Sequence, residues 1–224
     1  MNTLATGHVT FSLHPEHMGL SYSGVLDLLG ACDLVDLSQI ASSYYGYSRV
    51  EVRFISPGGL TSGMNTVASV FDALRKRGVT VATSAFGLTA SAAAVLLSYG
   101  DLGERRVQAG TTLLYHHPRV EAEVVTSSSA RDLQAQLAAA GRDVIDKLAA
   151  WIVPLASNKG GGWHWPLPGQ DDVLLKLARI CAQDYATESD CRRAIAEGLE
   201  RIFELDRQMS PDTACRLGLA DEIV

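Results

Sequence analysis

The chain has 224 residues, enough for one well-buried domain and short for two. An apolar content of 47% and a charged content of 20% set aside disorder. A net charge of -6, with a pI near 5.5, argues against a nucleic-acid partner.

The four cysteines, Cys32, Cys181, Cys191 and Cys215, form no CxxC pair, so they read as reduced thiols and not as a zinc site. His14 and His17 flank Pro15 and Glu16 without a third ligand, and neither a metal nor a cofactor is expected. Residues 1–8 lack the basic start and apolar core of a signal peptide. The apolar run from Ala90 to Leu97 is cut short by Ser98, Gly100 and Asp101, well below the roughly 20 residues of a membrane helix. The expectation is a soluble, cytoplasmic protein with no membrane partner.

In chain order, His8–Leu13 alternates like a strand, and a short helix is expected within Tyr22–Leu34 around Val25, Leu26, Leu28 and Leu29. Val50–Ile55 is rich in β-branched and aromatic residues and runs into Ser56-Pro57-Gly58-Gly59, a turn whose glycines permit close approach of another chain. A helix with Met64, Val67, Val70, Phe71 and Leu74 on one face follows and ends at Gly78, with Arg75-Lys76-Arg77 in its last turn. Val79–Ser84 reads as a buried strand that delivers the chain to Gly87 and Ser91.

Arg106–Ala109 and Thr111–His116 are short strands joined at Gly110, and Val120–Thr126 reads as an edge strand. This alternation predicts an α/β fold with a mainly parallel sheet. Ser127–Val153 carries a stripe of Leu133, Leu137, Ala140, Val144, Leu148 and Trp151, which needs a partner surface, either its own sheet or a second copy. Pro154 is expected to end it. Ser157–Gln170 reads as a loop whose tip is Trp163-His164-Trp165. Helices over Val173–Ala182 and Glu188–Leu205 follow, and Ser210-Pro211-Asp212-Thr213 caps a last helix ending near Gly218.

Ser91 opens the alanine-rich helix, where unpaired amides favour a developing oxyanion. Serine is also a common N-cap, so its partners decide its role. A serine nucleophile needs a base, and the base an orienting group. His116-His117-Pro118 ends a strand, and Asp206 lies just past a helix, which makes these the candidate partners.

Four motifs in order carry a resemblance. Phe54-Ile55-Ser56-Pro57-Gly58-Gly59 with Thr61-Ser62-Gly63-Met64, then Gly87 to Leu97, then Leu114 to Pro118, then Asp206 to Ser210 with Gly218-Leu219-Ala220-Asp221, resemble the Clp protease proteolytic subunit family. The Ala90-Ser91-Ala92-Ala93 variant is similar to the phage head-maturation relatives. The resemblance implies a single domain over 1–224, built as a spiral of β-β-α units shared with the crotonase fold. Its parts would be a divergent segment 1–48, a protruding handle over 120–153 and an inserted loop over 157–171.

It further implies a serine endopeptidase with Ser91 as nucleophile, His116 as base and Asp206 orienting it, His117 being the runner-up base. The Gly59 and Ala92 amides would form the oxyanion hole, and Glu121, Ala122, Glu123, Val124 and Val125 would bind substrate by main-chain pairing. A homo-oligomer of stacked rings, a peptide or unfolded-protein substrate and an AAA+ unfoldase partner complete what it implies. Leu205 stands where housekeeping members carry an arginine, and the interval from His116 to Asp206 is longer than theirs. Two other readings are a catalytically silent assembly subunit and a crotonase-fold acyl-CoA enzyme.

Overall fold

His8–Leu13 and Met18–Ser23 form β1 and β2, paired antiparallel. Met18, Leu20 and Tyr22 alternate into the core along β2, whose other edge pairs parallel with β3, Arg49–Ser56. The short helix expected within Tyr22–Leu34 starts late in that range: the strand, paired on both edges, runs through Tyr22 to Ser23, and helix α1 occupies 30–36. Cross-strand contacts outweigh the local leucine spacing there. The computed structural model describes residues 8–13, 16–27, 30–36, 46–119, 127–156 and 185–224, which divide into two compact units, Met1–Leu114 with Gln208–Val224 and Tyr115–Arg207.

In the first unit, β3 buries Val50, Val52 and Phe54 and gives way to α2, Thr61–Lys76. Met64, Val67, Phe71 and Leu74 of α2 are buried, each by about 1.5–3 kcal/mol of apolar transfer, while Val70 lies at the edge of that face. Gly78, with φ 76, turns the chain into β4, Thr80–Ala90. β4 changes neighbours along its length: residues 83–85 pair parallel with β5, Arg105–Val107, and residues 88–90 pair parallel with β6, Thr112–Leu114. Gly87, with φ 58, and a register shift against β3 between Phe54 and Ser56 mark the change.

β4 then feeds α3, Ala92–Ser98, every residue of which is buried. Its small side chains allow close packing on β4 and α2. Among the described residues the sheet runs β1-β2-β3-β4-β5-β8, with β6 also on β4 and with β7, Gln208–Met209, on β6. Most pairings are parallel, and the expected mainly parallel α/β arrangement is what the strands show. Arg105, wholly buried at the start of β5, holds the C-terminal segment by a two-pronged pair with Asp221: Nε to Oδ2 is 2.9 Å and Nη2 to Oδ1 is 2.6 Å.

The second unit is helical. α4, Ser127–Ala156, packs on α5, Glu188–Leu205. Val144, Ile145, Leu148, Ala149, Ile152 and Val153 are buried, so the C-terminal half of the expected stripe finds its partner in α5, and Leu133, Leu137 and Ala140 stay half-exposed. Pro154 does not end α4. It lies in the last turn, where the lost N–H removes one i to i−4 bond and the helix still continues to Ala156.

α5 buries Cys191, Ala194, Ile195, Gly198, Leu199, Ile202 and Phe203, and the Thr187 side chain caps it by accepting from the Asp190 amide. A final helix of the first unit, α6, Pro211–Leu217, has Ser210 as its cap and Gly218 at its end, as the sequence indicates; β8, Glu222–Ile223, closes on β5. The edge strand 120–126, the aromatic loop, the helix over 173–182 and Cys181 lie outside the described residues. Among the described residues no helix is long and apolar enough to cross a membrane.

Candidate active site

β3 ends in Ser56-Pro57-Gly58-Gly59, and the buried Ser56 hydroxyl ties this turn to itself by accepting from the Gly58 amide at 3.1 Å. The next residues are strapped to Leu26: its amide donates to the Gly58 carbonyl at 2.7 Å, and its carbonyl accepts from the Leu60 amide at 2.8 Å. A Cβ on Gly59 would lie 2.2 Å from the Leu26 oxygen, so only glycine fits. A Cβ on Gly58, whose φ is 98, would lie 2.4 Å from Ser91 Cβ and 3.1 Å from the Ala92 nitrogen. The Gly58 backbone therefore lies directly against the serine.

Ser91 has φ 54 and ψ -128, a region an L-residue rarely adopts, at the junction of β4 and α3. Its backbone is fully used: the amide donates to the Leu114 carbonyl at 2.7 Å, and the carbonyl accepts from the Val95 amide at 3.0 Å. Its hydroxyl makes no capping bond, which removes the N-cap explanation. Among the described residues the Ser91 hydroxyl and the Gly59 and Ala92 amides have no hydrogen-bond partner. A strained serine with an idle hydroxyl, next to unengaged amides, can act as a nucleophile with donors for a negative oxygen.

In the second unit, His117 is held by packing. Its Nε2 is 3.5 Å from Glu200, its ring meets Phe203 edge-on at 5.7 Å, and its Nδ1 would be 2.9 Å from a Cβ on Gly141 of α4. His116 is half-buried, and its Nδ1 donates to the His117 carbonyl at 2.7 Å. That bond puts the proton on Nδ1, which leaves Nε2 of the neutral ring as an acceptor. Asp206 caps α5 in the left-handed region, with φ 50 and ψ 47, and accepts a hydrogen bond from Arg119. Among the described residues no hydrogen bond joins His116 to Asp206.

Residues 46–150 match the family model described as Clp protease. The proteolytic subunit 4 of the ATP-dependent Clp protease of Rhodococcus jostii (strain RHA1) is 39% identical over 169 residues. Over this stretch the chain belongs to the Clp protease family.

The alignment with the Rhodococcus subunit takes in 75% of this chain and 64% of that protein's length. The Clp protease match contains Gly59, Ser91, Ala92 and His116 but stops short of Asp206. Ser91, Gly59 and Ala92 belong to the first unit, His116 and Asp206 to the second. The expected substrate residues Glu121, Ala122, Glu123, Val124 and Val125 lie outside the described residues. Two contacts escaped the sequence. Gly58, not Gly59, is the glycine against Ser91, because both glycines share one motif and only torsions separate them; Arg119 was the cation nearest His116 in sequence, yet its partner lies 87 residues on.

Proposed function

We propose that the chain is a Clp-type serine endopeptidase that cleaves extended or unfolded polypeptides through an acyl-enzyme. The observation that carries this reading is the backbone of Ser91, held at φ 54 with its hydroxyl unused and Gly58 pressed against it. In the proposed mechanism His116 Nε2 takes the Ser91 proton as Oγ adds to the scissile carbonyl. The Gly59 and Ala92 amides hold the oxyanion, and imidazolium returns the proton to the leaving amine. Water, deprotonated by the same nitrogen, then releases the acid. Asp206 is the reserve orienting group.

The finer family features belong to the same proposal: a β-β-α spiral, substrate pairing along 121–125, and stacked rings docked through α4, which together make 1–224 one working domain. The half-exposed Leu133, Leu137 and Ala140 support docking through α4. An AAA+ unfoldase would feed the chamber, and the compartment would be the cytoplasm. A silent subunit is the second reading, favoured by the engagement of Asp206 with Arg119.

Release of new amino termini from an unfolded protein by the wild type, and not by Ser91→Ala, tests the peptidase reading. Equal release by both would sink it. Native mass of the same samples reports the assembly.

A further inference from the structure

His116 donates its Nδ1 proton to the carbonyl of the peptide that joins His117 to Pro118, at 2.7 Å. That oxygen can only accept, so whatever fixes it also fixes the proton. Both ends of this peptide sit on one residue of α4: a Cβ on Gly141 would lie 2.9 Å from His117 Nδ1 and 3.6 Å from Pro118 Cδ. The proline also disfavours helical torsions at His117. On the α5 side, the rings of Tyr115 and His117 both lie on Phe203, with centroids 5.8 Å and 5.7 Å away. Residues two apart in an extended segment share a face, so His116 between them turns away from α5. Glycine inside a helix is costlier than alanine, yet position 141 of the 30-residue α4 keeps the space that the His117 imidazole fills.

We propose that His117, seated on Gly141 of α4 and Phe203 of α5, is a positioning residue for His116: it fixes the carbonyl that holds the His116 proton on Nδ1 and so keeps Nε2 open to accept. All of these groups belong to the second unit. Without the seat the carbonyl swings, and the neutral His116 ring shares its proton between both nitrogens, as a free imidazole does. Fewer molecules then present a bare Nε2, and the ring loses its fixed direction. Glu200 adds little: its carboxylate is 3.5 Å from His117 Nε2, and the His117 and Glu200 side chains are 30% and 43% exposed. The consequence for rate rests on the peptidase reading, but the seat itself does not.

The test follows the His116 ring nitrogens by NMR in the full chain, alongside the rate of fluorophosphonate labelling of Ser91. The wild type should show a slowly exchanging Nδ1–H and a bare Nε2. His117→Ala, which empties the seat, and Gly141→Ala, which fills it, should each lose the Nδ1–H resonance and slow labelling about tenfold. The double variant should match His117→Ala, because the added methyl then meets no ring. Glu200→Gln should stay within about two-fold of wild type in both readouts. A wild type protonated on Nε2, or an Nδ1–H retained in His117→Ala, overturns the seat and leaves the peptidase reading intact; a lower unfolding midpoint alone would show only a structural role. Because His117→Ala creates no clash, it decides the matter should Gly141→Ala not fold. The stated resonance changes without labelling of any variant would support the seat and refute the peptidase reading.

Discussion

Replacing Ser91 by glycine should make the protein more stable while removing the proposed nucleophile. Ser91 holds φ 54 and ψ -128, which costs an L-residue about 1–3 kcal/mol and costs glycine almost nothing. The hydroxyl makes no hydrogen bond among the described residues, so its loss removes no stabilising contact. Glycine loses more chain entropy on folding, about 0.4–1 kcal/mol, which leaves a net gain of about 1 kcal/mol. For a chain of this size that raises Tm by about 2–4 °C. Ser91→Ala keeps the Cβ and its strain, and should stay within about 0.5 kcal/mol of wild type. Urea unfolding at one fixed protomer concentration reads the difference from the midpoints, provided the slopes agree. A glycine variant no more stable than the alanine variant would refute strain at Ser91.

Gly58→Ala places a Cβ 2.4 Å from Ser91 Cβ and 2.7 Å from the Ala90 carbonyl, at a φ of 98. It should cost at least about 2 kcal/mol and abolish Ser91 labelling; retention of both in unfolding and labelling assays would contradict the packing described. Arg105→Leu strands the Asp221 carboxylate and should cost about 3–5 kcal/mol by urea unfolding, against less than 1 kcal/mol if the pair were ornamental. Burial pushes the Asp221 carboxyl up, and the hydrogen bond and charge of Arg105 outweigh it, so the group titrates below the usual aspartate range. Its contribution is therefore whole above about pH 4 and is lost as pH falls through the depressed value; Asp221→Asn should flatten that part of the stability-pH curve. Burial, with Glu188 adding to it, pushes the Cys191 thiol up to about 11, so iodoacetamide at about pH 8 should modify the exposed Cys32 and spare Cys191 in peptide maps.

Much of the fold was legible because its signals are local. β3 announces itself by Val50, Val52 and Phe54, α2 by the spacing of Met64, Val67, Phe71 and Leu74, and α6 by Ser210-Pro211 and Gly218. β1, His8–Leu13, is read from its alternation as well, but the segment that follows it is not. Tyr22 lies in a strand because β1 and β3 pair on either side of it, and no window of local sequence contains β3. Pro154 misled for the opposite reason: a strong local rule met a helix already anchored by Leu148, Ile152 and Val153.

At the candidate site, the sequence singles out residues but not their conformations. An Ala-Ser-Ala start reads as a capped helix, and only the Leu114 carbonyl and the Gly58 backbone hold Ser91 in a torsion that idles its hydroxyl. The two histidines of His116-His117 are chemically alike, and it is Gly141, Glu200 and Phe203, all distant in sequence, that tie down His117. The engagement of Asp206 by Arg119 joins residues 87 positions apart, beyond any spacing rule.

The central claim is that Ser91 is an activated nucleophile. Intact-mass spectrometry after incubation with a fluorophosphonate tests it most directly, with wild type compared to Ser91→Ala and His116→Ala. The account requires one adduct per chain in the wild type, none in Ser91→Ala, and labelling slowed by at least about a hundredfold in His116→Ala. An unmodified wild-type chain in the assembled state, or an adduct that survives in Ser91→Ala, would contradict it.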